Sequence, residues 1–401
     1  MPHNEVDGPM EISDLPLMPY FGNVGVIALV PDNWEEPWQP RHQILSRLTR
    51  YFHVVWCSPA PWWRDWLKDT PPRESHMNYG LPLEPGLTIY RPEKYLPEVG
   101  RPPLLARWIR RERLRRAQHI LLARGVQKII LYLWRPQYAW ALDLIESDLS
   151  CYHIDDEYTF SEIEKPLDDH EARLISQVDL VFIHSPSLLE KKGKLNPQTI
   201  FVPNGVDYSA FATLHPEPPD LGPIPHPRIG YVGRIKSDLN YSLLIDLARR
   251  HKDWSFVLVG PVENLDDRIV SIQTLAQMSN VYFLGGKPVT ALPAYTQHLD
   301  VCMLCYEVND YTKFIYPLKL HEYLASGRPV VGAPIRSLQE FAHLISLAYT
   351  VDDWSAALSA ALNPSVDSAE RRSARQAVAQ QHDWHLLVSK IATAMLGDVL
   401  T

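Results

Sequence analysis

Lys319 and Glu322 stand three residues apart in YPLKLHEYLASGRPVVGAP, residues 316–334. Pro317 is a residue that opens helices, Gly327 one that closes them, and a buried, Val-rich strand follows. On a helix that spacing puts an ammonium and a carboxylate on one face near the start. The exposed N–H groups and dipole there favour an anion, so a phosphate and a sugar hydroxyl could be received together. An ordinary surface ion pair has the same spacing. His153, Asp155 and Asp156 end a predicted strand, where an Asp or His could orient or deprotonate an incoming hydroxyl, or merely cap a turn. His184 ends the next strand and is either a further candidate or a satisfied histidine. Arg41 and His42 follow Trp34 and Trp38, rings able to stack on a sugar face or to fill a core. Cys302 and Cys305 form a CxxC inside a strand, where i and i+3 side chains point to opposite faces, so they share no metal.

Parallel strands covered on both faces must carry these groups, because short Val- and Ile-rich runs alternate with helix-length segments throughout. Strands are predicted at 24–30, 53–59, 87–91, 128–134, 151–155, 180–185 and 199–203. A second series lies at 228–233, 255–260, 281–285, 301–306, 329–333 and 347–351. The class is α/β, in two similar doubly wound units. ATLHPEPPDLGPIPHP, residues 212–227, holds six prolines that forbid helix and inner strand, and marks the boundary. The expected organisation is a tail over 1–20, a first domain over 21–211, the linker over 212–227, a second domain over 228–375 and a helical segment over 376–401 that packs back on the first domain. Segments after Asp352 read as surface helices. Ligands of such sheets bind at the carboxyl ends of the strands, which here face a cleft that closes about the linker.

The 401 residues carry 39 Lys+Arg against 47 Asp+Glu, a net charge of −8 that disfavours a nucleic-acid partner. Four scattered cysteines make no disulfide framework. The acidic, Pro-rich start lacks a secretory signal, and no apolar run is long enough to span a bilayer. A cytoplasmic protein is expected, with peripheral contact at the inner membrane face left open. The surface for that contact is residues 101–124, with eight arginines against the single acid Glu112 and with Leu104, Leu105, Trp108 and Ile109 at one end. The arginines run all round the helical wheel, which equally suits a solvated cationic helix. Trp62, Trp63 and Trp66 supply a second point of contact, and a polyprenyl-linked acceptor would explain both.

The 316–334 segment resembles the nucleotide-sugar signature of GT-B glycosyltransferases, above all the family-4 retaining enzymes. It is joined in order by PNGVD at 203–207, YVGRI at 231–235, WSFVLVGP at 254–261, NVYFLGGKP at 280–288 and LPAY at 292–295. DNWEEPWQPRHQ at 32–43 and YHIDDEY at 152–158 resemble a teichuronic-acid and exopolysaccharide subgroup. The resemblance implies two Rossmann-like domains, the first for acceptor and the second for donor. It also implies a nucleoside-diphosphate sugar as co-substrate, a glycan, lipid-linked glycan or small hydroxylated acceptor, transfer with retention in bacterial polysaccharide or glycoconjugate synthesis, and no metal. By that resemblance Glu322 hydrogen-bonds the donor ribose, while Arg234 and Lys319 neutralise the leaving diphosphate, with Gly233, Lys236, Pro317 and Leu318 beside them. Gly285, Gly286 and Lys287 follow a strand and would seat the nucleobase on backbone.

Three departures stand out. Phe314 occupies the position, eight residues before Glu322, where the family carries a second glutamate; Glu307 and Asp310 lie in the same loop and could either substitute or be solvated loop acids. Lys236 follows Arg234 by two residues where the family spaces its basic pair wider. The glycine-rich loop that many relatives carry after the first strand is absent, Gly22 and Gly25 lying before or inside that strand. The missing glutamate leaves open two alternatives: a catalytically silent nucleotide-sugar-binding subunit, and a GT-B nucleotide-sugar epimerase.

Overall fold

The computed structural model describes residues 18–64, 84–160, 163–263, 268–363, 365 and 367–399; most of the expected tail and Trp66 lie outside them. The first domain is a seven-stranded sheet of β1 (Val24–Leu29), β2 (His53–Cys57), β3 (Leu87–Tyr90), β4 (Lys128–Leu133), β5 (Leu149–Ile154), β6 (Leu180–Ile183) and β7 (Thr199–Phe201), in the order β3-β2-β1-β4-β5-β6-β7. The second is a six-stranded sheet of β8 (Arg228–Val232), β9 (Ser255–Val259), β10 (Val281–Gly285), β11 (Val301–Leu304), β12 (Val330–Gly332) and β13 (Ser346–Leu347), in the order β10-β9-β8-β11-β12-β13. Every pairing is parallel. The central runs VGVIAL, RIGYV and SFVLV are buried at every position, as helices on both faces require. Strand order reverses between β1 and β4 and again between β8 and β11, and the carboxyl ends at those two points frame the cleft.

Every strand expected from the sequence is present, most of them trimmed by a residue or two. The largest difference is the last, where pairing stops at Leu347 because Thr350 caps α11 (Val351–Ala361). The Thr350 hydroxyl accepts from the Asp353 N–H at 3.2 Å, and the Asp353 carboxylate accepts from the Thr350 N–H at 2.9 Å.

The proline-rich segment forms no helix or strand between Ala212 and Arg228, yet it is not a free connector. Leu221 and Ile224 are buried in the second core, and Asp220 pairs with Lys287 at 2.6 Å. The chain crosses between domains at two places side by side, where Val206 forms a parallel bridge to Asp383. The second crossing leads into α13 (Trp384–Val399). There α13 buries Trp384, Val388, Ile391 and Met395 against the first sheet, in the same core as Val24, Val26 and Ile44 of α1 (Pro40–Leu48). Each such side chain is worth roughly 1.5–3 kcal/mol. The last helix thereby belongs physically to the first domain.

Candidate functional site

The donor-side group is built on α9 (Leu318–Ala325), whose first turn opens into the cleft. Pro317 stands just before it, and Leu320, Tyr323 and Leu324 bury the opposite face in the second core. Lys319 and Glu322 therefore face a cavity of about 190 Å³ together with Gly233, Arg234, Lys236, Lys287, Leu318 and, from the first domain, Trp38 and Gln39. Among the described residues, the side chains of Lys319 and Glu322 have neither a hydrogen-bond nor an ion-pair partner. The Lys319 ammonium lies 5.1 Å from the centre of the Tyr231 ring. Burial pushes the Glu322 carboxyl up to about 7 against the pull of Lys319, and burial pulls the Lys319 ammonium down against the pull of Glu322. Half-buried charges left without partners are costly, and a ligand carrying hydroxyls and an anionic group is what this pair lacks. Arg234 pairs with Glu263 at the rim.

Gly233 follows β8 with φ +147°, and a Cβ there would stand 1.8 Å from Lys319 Cε. Only a glycine lets Lys319 lie across the strand end. Gly285 ends β10 at φ +69° with open space on its Cβ side, and Gly286 follows it half-buried. Lys287 lines the cavity, whereas neither glycine does.

The facing wall and the rest of the cleft enclose about 350 Å³. Asp32 follows β1, Arg135 follows β4, Asp155 and Asp156 follow β5, and Arg41 reaches in from α1. Asp155 accepts from Arg41 at 2.7 Å and Arg135 at 2.6 Å, and also from the Tyr158 hydroxyl, while Arg41 pairs in addition with Asp32. Burial would raise the Asp155 carboxyl, but the two guanidiniums outweigh it and hold it well below the usual carboxylate range. Asp155 is thus a buttress for two arginines instead of the proton acceptor its sequence position suggested. Asp156 lines the cavity, 3.4 Å from the Tyr311 hydroxyl of the second domain.

His153 is a correction. It ends one residue too early to reach the cleft, and the two-residue period of β5 turns its ring into the core. There it stacks on Trp134 with ring centres 4.2 Å apart and bonds the Tyr132 hydroxyl at 2.7 Å, and burial lowers its pKa to about 3. His184 lines the cleft, its Nδ1 3.1 Å from the Ile154 carbonyl. His42 is buried among Trp34, Trp38 and Trp56, so Trp34 is core while Trp38 serves core and cavity alike.

Neither Glu307 nor Asp310 lines the cavity; Asp310 points to solvent and pairs with Lys313 at 3.6 Å. Phe314, in place of the family's glutamate, is buried in the first domain's core. Arg135 and Asp238 both line the cleft and were not singled out from the sequence. Arg135 carried a usable signal, the first charged residue after a buried strand.

The 101–124 segment folds as α2 (Pro103–Leu122) and sorts its arginines. Arg110 and Arg113 pair with Glu98 at 2.5 and 2.7 Å, and Arg116 with Glu93 and Glu112, whereas Arg101, Arg107, Arg111 and Arg115 are exposed. Leu104 and Trp108 are 82% and 58% exposed beside them. No helix among the described residues is long and apolar enough to cross a membrane.

Residues 226–364 match the family described as Glycosyl transferases group 1. A putative teichuronic acid biosynthesis glycosyltransferase from Bacillus subtilis is 28% identical over 238 residues, which span 57% of this chain and 59% of that protein. Sucrose-phosphate synthase from Thermosynechococcus elongatus shares the fold with a TM-score of 0.71 at 15% identity, over 93% of this chain and 98% of that one. HepE from Anabaena, solved with UDP and glucose, gives a TM-score of 0.64 at 16% identity over 93% and 99%. Residues 226–364 therefore resemble a Glycosyl transferases group 1 domain, and the whole chain has the two-domain GT-B fold of these glycosyltransferase neighbours.

Proposed function

We propose that this protein transfers a sugar from a UDP-sugar to a hydroxyl of a glycan or lipid-linked glycan, with retention and without a metal, in polysaccharide synthesis. The observation that carries the reading is the unpartnered Lys319–Glu322 pair at the start of α9, facing a cavity also lined by Arg234 and Lys236. In this reading Glu322 accepts hydrogen bonds from the ribose, and the diphosphate lies against Lys319, Arg234, Lys236 and the free N–H groups of the helix. Breaking the bond between the anomeric carbon and the diphosphate oxygen places negative charge on that oxygen, where fixed cations stabilise it as it develops. The acceptor oxygen bonds to the anomeric carbon, and its proton passes to the departing diphosphate oxygen on the same face. Asp156 orients the acceptor, while Arg41 and Arg135, held by Asp155, form the acceptor wall. Closure about the paired crossings at Val206 and Asp383 excludes water.

The uridine donor is supported by the like-folded neighbour holding UDP, and a polysaccharide acceptor by the teichuronic-acid relative. The lipid-linked form is supported by α2, whose exposed Leu104, Leu105 and Trp108 adjoin four exposed arginines in the manner of an interfacial helix. The test is release of UDP from UDP-sugars in the presence of lipid-linked or polymeric acceptors, with and without a chelator. UDP release that needs acceptor and survives the chelator supports the reading. Donor binding without any release indicates a silent binding subunit, and conversion of the donor sugar without acceptor indicates an epimerase.

A further inference from the structure

Asp238 places a carboxylate in the cleft that neither the donor grip nor the acceptor wall uses. Its backbone is pinned on both sides. The Asp238 carbonyl accepts from the Glu307 N–H at 2.8 Å, Leu239 bridges to Tyr306, and the Asn240 N–H donates to the Cys305 carbonyl at 2.8 Å before Asn240 caps α6 (Tyr241–Arg250). The side chain is thereby held in the same cavity as Lys236, Lys319, Pro317 and Asp156. Oδ1 is buried and has no hydrogen-bond partner. Burial raises the Asp238 carboxyl above its ordinary value although Lys236 and Lys319 pull against it.

A buried acceptor without a donor is an expense that a ligand hydroxyl removes. With Lys319 and Lys236 on the diphosphate, the group next in line along a nucleotide sugar is the sugar ring, and its hydroxyls are donors. The position at which relatives carry a carboxylate eight residues before Glu322 is filled here by Phe314, buried at 3% exposure and unable to accept anything. We propose that Asp238 holds the transferred sugar by accepting hydrogen bonds from its hydroxyls, and that its charge excludes donors whose sugar bears a carboxylate. The inference rests on the UDP-sugar reading and goes beyond it by naming the residue that selects the sugar.

The test is calorimetric binding of UDP, of UDP-glucose, UDP-galactose and UDP-N-acetylglucosamine, and of UDP-glucuronate to the full chain and to Asp238→Ala and Asp238→Asn, with thermal melting as the folding control. Even one hydroxyl bond to a carboxylate corresponds to a loss of about 10- to 100-fold on removal. The tightest neutral UDP-sugar should lose that much in Asp238→Ala while UDP stays within about twofold, and Asp238→Asn should recover part of the loss. Asp238→Asn should also narrow the gap between the neutral sugar and UDP-glucuronate. UDP and UDP-sugars weakening together, or neither weakening, overturns the role of Asp238. Failure of UDP itself to bind the unaltered chain overturns the donor reading, and shows before any variant is made.

Discussion

Replacing Glu322 by Gln separates charge from shape at the ribose contact. A carboxylate accepting two hydroxyl bonds contributes about 1.5–3 kcal/mol for each, and a neutral amide oxygen about half that, so the substitution should weaken UDP-sugar binding by roughly 2 kcal/mol, about thirtyfold. The pH dependence is more discriminating. Burial raises the Glu322 carboxyl to about 7, so the free protein is largely protonated there below neutrality. A ligand that prefers the carboxylate must release that proton, which at pH 6 costs ~1.4 kcal/mol relative to the plateau above pH 8. UDP-sugar affinity should therefore rise about tenfold between pH 6 and 8 in the parent and stay flat in Glu322→Gln. The diphosphate diester does not titrate in this range. Calorimetry in two buffers of different ionisation enthalpy would count the released proton directly. A flat profile in the parent, or an equal slope in the variant, refutes the placement of Glu322 on the ribose.

Arg234→Ala should depress turnover at least about tenfold more than donor affinity, since its charge acts mainly on the leaving diphosphate; a pure affinity loss measured in steady-state kinetics contradicts that role. Gly233→Ala forces a side chain to φ +147° and displaces Lys319, so UDP affinity should fall more than about tenfold while melting drops only a few degrees. His42 and His153 are buried neutral, with folded pKa values of about 3 against roughly 6.5 unfolded. Their contribution is fully present above about pH 6.5 and is lost as pH falls toward 3, about 2 kcal/mol for each at pH 5. Glu322, raised when folded, acts in the opposite sense, so urea unfolding is best compared at pH 7.5 and 5 in Glu322→Gln, where equal stability would contradict both burials. Vesicles of anionic lipid should retain the parent, whereas a variant with Arg107, Arg111 and Arg115 replaced by Glu should stay in the supernatant; equal retention removes α2 from any membrane contact.

The strands were readable because their burial on both faces leaves uninterrupted Val- and Ile-rich runs, which no other element of this length produces. The pair on α9 was readable because Pro317 and Gly327 bracket it and helical geometry does the rest. Where side chains point was less accessible. His153 and Asp155 are two residues apart on one strand end, and the difference between core and cleft is where the pleat stops, which the sequence does not mark. The proline-rich segment advertised its lack of secondary structure but not that Leu221 and Ile224 would bind it to the second domain. The last helix could be assigned to the first domain but not to particular neighbours, because its partners, Val24 and Val26 among them, lie some 360 residues earlier in the chain. Asp238 was invisible because its significance depends on lacking a partner, a property of three dimensions alone.

The most direct measurement is a crystal structure of the protein bound to a non-hydrolysable UDP-sugar. The account predicts the diphosphate within hydrogen-bond reach of Lys319 and Arg234 at the start of α9, and the ribose hydroxyls on Glu322. Nucleotide seated elsewhere, such as the separate cavity of about 310 Å³ lined by Trp62, Trp140, Arg110 and Arg113 in the first domain, would contradict it.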